Sequence, residues 1–266
     1  LQSRDLAHVK PQYTTFARFP ACRRTAPRTP ASGTADARHN GCMRITLITG
    51  SDGATFAREL ATSLPEGADL TVVAPTVRDH WSAWLKACPD LDGLLAPPDI
   101  APTFAVADQL RAIEYSPAWQ RTSDQTVASR LVRTELLGTG YSLSQATLAA
   151  ATRAGLPFRL LPMSDDRAEL HVVVDGDEPR AVHVEEYLAS PGSNSPTETV
   201  LVAEAWAVSP AVATQLAQTD VLVIGPSSRT LAVDPVLRTP SLLDSVSASA
   251  LVLVVEHDDT APPDLV

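Results

Sequence analysis

Four short apolar runs do most to limit what this chain can become: RITLIT (44–49), LTVVA (70–74), DVLVIGP (220–226) and ALVLVVE (250–256). They are rich in β-branched residues and of buried-strand length. Helical composition follows the first of them, from Thr55 to Leu64, and precedes the last two, over 210–218 after Pro210 and around 232–238. Strands at both ends of the chain joined through helices predict an α/β fold. The sheet is expected to be doubly wound, mostly parallel and Rossmann-like.

The middle of the chain reads differently. Segments 104–114, 124–137 and 142–154 have few β-formers and read as helices, punctuated by Gly138 and Gly140, with Ser142 as an N-cap. Strand candidates then follow at 158–162, 169–174, 181–184 and 199–206, and ASPGSNSPT (189–197) is the clearest internal loop. This helical and β material predicts a subdomain inserted into the sheet over about 104–206.

Charge divides the chain in two. Of 266 residues, 31 are acidic and 21 basic, a net charge of −10, yet residues 1–42 carry +5 and residues 43–266 carry −15. The first 42 residues lack an apolar period and contain the run Arg23, Arg24, Thr25, Ala26, Pro27, Arg28. A segment of that kind cannot bury enough apolar surface to offset its ordering entropy, so a disordered basic tail is expected. An Arg-rich, acid-poor targeting peptide is the other reading. Met43 looks like the start of the folded part, a single α/β domain over 43–266. The acidic body argues against nucleic acid as a partner. No apolar run reaches the roughly 18–20 residues that a membrane-spanning helix needs. Cysteines at 22, 42 and 88 match no metal-binding spacing and no closed disulfide framework, which suits a cytoplasmic setting.

In an open α/β sheet, ligands bind beyond the carboxyl ends of the strands. One such end is Thr49, Gly50, Ser51, Asp52, Gly53, a strand-to-helix turn whose amides suit a phosphate, although the same turn also serves as an ordinary connection. Another is Gly225, Pro226, Ser227, Ser228, where small hydroxyl residues suit an anionic ligand or a helix cap. Carboxylates recur at predicted element ends: Asp79 after the second strand, Asp90 and Asp92 around a proline-restricted turn, Asp124 at a helix start, Asp165 and Asp166 after FRLLP. Oxygen ligands without a His/Cys cluster point to Mg²⁺ over Zn²⁺, while a cap or solvated turn residue is the plainer use of each acid. His171 and His183 read as sheet residues.

Taken together, CPDLD (88–92), LVRTELLGTGYSLSQAT (131–147), LLPMSDDRAELHVVV (160–174), HVEEY (183–187) and VLVIGPS (221–227) resemble the 2-phospho-L-lactate transferase family of CofD type, over about residues 43–255. The resemblance implies transfer of a 2-phospholactyl or enolpyruvyl-phosphate group from a guanosine diphosphate-type donor to a hydroxyl of the deazaflavin Fo. GMP leaves, in a step of coenzyme F420 biosynthesis. It implies Mg²⁺ at the diphosphate, with Asp79, Asp165 and Asp166 as metal candidates and Asp79 and Asp165 also as catalytic ones. Asp92 matches the family's deazaflavin-contacting aspartate. Gly50, Ser51 and Gly53, with Gly225, Ser227 and Ser228, would face the donor, and Asp124 joins the substrate-binding set. A homodimer is a further expectation. The chain departs from the family pattern where a Gly-rich first loop becomes Gly50, Ser51, Asp52, Gly53, and where GDD becomes Val77, Arg78, Asp79. The family pattern also continues beyond 250–256, so a divergent and C-terminally short member is implied. A second reading stays open: a relative that binds a nucleotide or deazaflavin and regulates without catalysing.

Overall fold

A computed structural model describes residues 43–115, 121–175, 178–189 and 196–255. The expected disordered tail lies outside these residues, as does most of the 189–197 loop.

In chain order the elements begin with β1 (Arg44–Ile48), α1 (Ala54–Ser63) and β2 (Asp69–Ala74). A hairpin of β3 (His80–Ser82) and β4 (Leu85–Ala87) leads into α2 (Pro89–Leu95), α3 (Ala105–Ala112), α4 (Asp124–Gly138) and α5 (Leu143–Ala154). Then come β5 (Arg159–Pro162), β6 (Ala168–Val174), β7 (Arg180–His183), α6 (Val184–Ala189) and β8 (Pro196–Ala203). The chain closes with α7 (Pro210–Ala217), β9 (Val221–Ile224), α8 (Asp234–Leu237), α9 (Leu242–Ser245) and β10 (Leu251–Val254).

The central sheet has five strands in the order β10-β9-β1-β2-β5, and every pairing is parallel. Strand periodicity divides its side chains between two cores. Ile45 and Leu47 pack with Phe56, Leu60, Leu91 and Leu143 on one face. Ile48, Val73 and Leu161 pack with Val212, Leu216 and Leu242 on the other. Thr46 also lies buried, and its hydroxyl is hydrogen-bonded to Thr219 Oγ1 (2.8 Å) and Gln215 Nε2 (3.2 Å). The doubly wound expectation is met.

Two segments differ from the sequence expectation. The single excursion predicted over about 104–206 is split, because β5 returns to the central sheet beside β2 between the helices and the small sheet. That small sheet, in the order β7-β6-β8, is antiparallel and has its own core of Leu170, Val172, Val182 and Tyr187. The proline-restricted turn predicted at 89–92 is the first turn of α2. Pro89 occupies a position whose N–H would have no helical partner, and Asp90 and Asp92 complement the positive end of the helix dipole.

β1 is flanked by β2 on one side and β9 on the other. That reversal of winding opens a crevice at the carboxyl ends of β1 and β9, where the loops 49–53 and 225–228 meet.

Candidate functional site at the β1/β9 crevice

The two loops are tied together by their own polar atoms. Thr49 Oγ1 donates to the Pro226 carbonyl (2.8 Å), and the Gly50 amide donates to Ser227 Oγ (2.9 Å). The Asp52 carboxylate accepts from the Ser227 hydroxyl, from the Ser228 amide (2.8 Å) and from the Gly53 amide (3.1 Å). Close approach favours glycine at two of these points, most firmly at Gly53, where the neighbour is backbone. A Cβ on Gly50 would lie 2.7 Å from Asp90 Oδ1 and 2.8 Å from Ser227 Oγ, and one on Gly53 would lie 2.6 Å from the Pro226 carbonyl. Gly225, with φ of 88°, adopts a backbone conformation that other residues avoid. The substrate-binding set expected here, Gly50, Ser51, Gly53, Gly225, Ser227 and Ser228, is therefore brought together in one place.

Asp90, at the start of α2, accepts the Ser51 amide (2.9 Å). It also pairs with Arg78 (3.3 Å), whose guanidinium reaches Glu185 on α6 at 2.6 Å. Asp90 is 1% exposed, and its Oδ2 has no hydrogen-bond partner. Burial pushes its pKa up to about 6. Arg78 and the Ser51 amide oppose that rise, and the Asp52 and Glu185 charges add to it. Arg78 and Glu185 lie outside the expected site, and Asp90 was a candidate carboxylate without an assigned role. The CPDLD segment held the signal for Asp90, but the contact of Arg78 with Glu185 joins residues 107 positions apart, and no local pattern carries it.

Two residues along α2 the chemistry changes. Asp92 is gripped by two buried cations, Arg130 Nε at 2.8 Å and Arg133 Nη2 at 2.7 Å, both from α4. Asp79 is buried beside it, accepting from the Cys88 thiol (3.0 Å) and paired with Lys86 (3.4 Å). Burial raises the Asp79 pKa, and Lys86, the thiol and Arg133 counter the shift. Arg133 also donates to the Lys86 carbonyl (3.2 Å), and Thr134 accepts the Lys86 amide (2.9 Å), so the hairpin is pinned to α4. Two cavities adjoin this cluster. One, of about 300 Å³, is bounded by Asp92, Leu95, Pro98, Ile100 and Ser123. The other, of about 270 Å³ and mostly apolar, lies between the hairpin and helices α3 and α4, bounded by Leu85, Leu110, Tyr115, Val127 and Arg130.

The remaining expected residues sit apart from the crevice contacts. Asp124 accepts the Ala105 amide (3.0 Å) and the Val106 amide (2.9 Å), which caps α3. Its pKa is lowered first by the bond from Thr103 and then by these amides. Asp165 accepts the Ser144 amide (2.6 Å) and hydroxyl (3.1 Å) at the start of α5. Asp166 accepts the Ala207 amide (3.2 Å). Among the described residues no three His, Cys, Asp or Glu side chains are grouped to hold a metal. The metal candidates Asp79, Asp165 and Asp166 each serve separate protein donors. They do not fit a resident Mg²⁺ site.

Comparison with known proteins places these observations in a family. Residues 45–257 match the family described as 2-phospho-L-lactate transferase CofD. A phosphoenolpyruvate transferase of Streptomyces griseus subsp. griseus is 33% identical over 227 residues, covering 80% of this chain and 71% of that protein. One from Streptomyces avermitilis is 36% identical over 213 residues, covering 74% and 66%. In fold, the chain is similar to the protein BH3568 from Bacillus halodurans, with a TM-score of 0.57 at 16% identity over 80% of this chain and 68% of that one. No helix among the described residues is long and apolar enough to cross a membrane.

Proposed function

As the chain belongs to the 2-phospho-L-lactate transferase CofD family, we propose that it moves a 2-phospholactyl or enolpyruvyl-phosphate group from a guanosine diphosphate-type donor to the hydroxyl of the deazaflavin Fo. In this reaction the acceptor oxygen bonds to the phosphorus carrying the lactyl or enolpyruvyl group. The bridging P–O bond breaks, GMP departs, and the hydroxyl proton is released. Catalysis of this kind rests on alignment and on neutralising charge.

The observation that carries the reading is that α2 touches the 49–53 loop at one residue and the wall of the cavities two residues later. Asp90 touches the Ser51 amide, and Asp92, two residues on, borders one cavity and pairs with Arg130, which borders the other. The donor's phosphates then belong at Gly50, Ser51, Gly53, Ser227 and Ser228. The flat acceptor belongs in the apolar cleft, with Asp92 setting Arg130 at its wall. Asp79 has the role of holding Lys86 against α4, and Asp124 and Asp165 serve as caps. No step is assigned to Mg²⁺, because the residues offered for it have other partners. The similarity to phosphoenolpyruvate transferases favours the enolpyruvyl donor over the lactyl one.

The test is turnover. The purified full chain is incubated with Fo and either guanosine donor, with Mg²⁺ or with EDTA, and GMP and the phosphodiester product are quantified by mass spectrometry. The reading expects the two in equal amounts. Absence of both from a folded protein with either donor, while calorimetry still detects GDP or Fo, supports the regulatory binder instead.

A further inference from the structure

We propose that the Asp52 carboxylate is a built-in competitor for the donor's phosphate subsite, and that a nucleoside diphosphate must displace it to bind. This rests on the reading of the crevice as the donor site and deepens it.

Three donors meet at Asp52: the Ser227 hydroxyl, the Ser228 amide and the Gly53 amide. They come from two loops on adjacent strands and converge on one carboxylate. That is the donor set a phosphate would use, since a carboxylate and a phosphate oxygen accept the same N–H and O–H bonds. Ser227 and Ser228 are buried, whereas Asp52 is exposed to solvent. The neighbouring amides are likewise taken, Gly50 by Ser227 Oγ and Ser51 by Asp90. An incoming anion therefore gains few bonds unless a carboxylate yields. Of the two, Asp52 yields more readily, because Asp90 is 1% exposed and bonded to Arg78.

A cation also stands behind this place. The Arg78 guanidinium pairs with Glu185 and with Asp90, which in turn holds the Ser51 amide. A displaced Asp52 side chain keeps a cation nearby, and the arriving phosphate gains the same cation. The device acts as a filter. A weakly charged ligand does not evict the carboxylate, whereas a diphosphate with several acceptor oxygens can.

The test is calorimetric titration of the full chain and of the Asp52→Asn and Asp52→Ala variants with GDP, inorganic pyrophosphate and guanosine. Removing one negative charge a few ångströms from the phosphates should tighten GDP and pyrophosphate about tenfold, less in high salt, and leave guanosine unchanged. Circular dichroism verifies the fold of both variants, and Asp52→Asn keeps the side-chain shape should Asp52→Ala lose stability. Binding of GDP that is equal to wild type or weaker in both variants overturns the proposal. It would mean that Asp52 is neutral to the donor or helps to hold it. If neither the wild type nor a variant binds GDP or pyrophosphate, the donor-site reading itself falls. If the wild type binds GDP and the variants bind it no tighter, only the role of Asp52 falls.

Discussion

Asp52 at the crevice and Asp92 in the α2–α4 cluster are both held by several donors, yet the donors are of opposite kinds. At the crevice, Asp52 is held by a hydroxyl and by backbone amides. In the cluster, Asp92 is held by two guanidinium groups and Asp79 by an ammonium and a thiol. Neutral donors release a carboxylate to another anion at small cost, because the incoming group restores the same bonds. Buried cations do not, because separating them leaves an uncompensated charge. The first arrangement suits an exchangeable site and the second a rigid wall beside it.

The largest effect that could break this contrast is in the cluster. Arg133→Ala leaves Asp92 with one cation and is expected to cost about 3–5 kcal/mol, read as a lower urea midpoint at unchanged m-value. Asp52→Ala removes bonds to neutral donors and is expected to cost about 1 kcal/mol in the same titration. If the two variants lose equal stability, the distinction between exchangeable and rigid fails.

Acid titration sharpens the contrast. Asp90 has a folded pKa of about 6 against an ordinary value of 3.8, so between those limits the folded state binds the extra proton. Its contribution to stability therefore falls as pH rises through that window, by about 3 kcal/mol in full. His183 behaves oppositely. Burial first, then the neighbouring His80, lowers its pKa to about 4 from 6.5, so the unfolded state binds more protons and stability rises with pH. The two slopes oppose each other between about pH 4 and 6. Asp90→Asn should unmask the His183 slope, making stability climb more steeply with pH in urea unfolding series. An unchanged slope would mean that Asp90 is ionised throughout.

The smallest effect is expected at the caps. Asp124→Ala should weaken the start of α3 slightly and leave GDP affinity as it is, because its contacts are the Ala105 and Val106 amides. A clear change in GDP binding would move Asp124 back into the site.

The strands of the central sheet were legible in the sequence because each is a continuous apolar run, as RITLIT and VLVI show. The hairpin at 80–87 was not, since its strands, HWS and LKA, are only three residues each and carry little pattern. The loops 50–53 and 225–228 were legible through their small residues after strands. The partners of the carboxylates were not. Asp92 meets Arg130 and Arg133 across 38 and 41 residues, and such pairings are set by how α4 packs on the hairpin rather than by spacing. Asp124 and Asp165 illustrate the converse: acids at element ends that the sequence offers equally to substrate or to a cap, and that the fold uses as caps.

The most direct measurement of the central claim is amide hydrogen exchange of the full chain with and without GDP. Binding at the crevice predicts slowed exchange in peptides covering 49–53 and 225–228, with the small β6–β8 sheet unchanged. Protection confined to the small sheet, or none at saturating GDP, would contradict a donor site between β1 and β9.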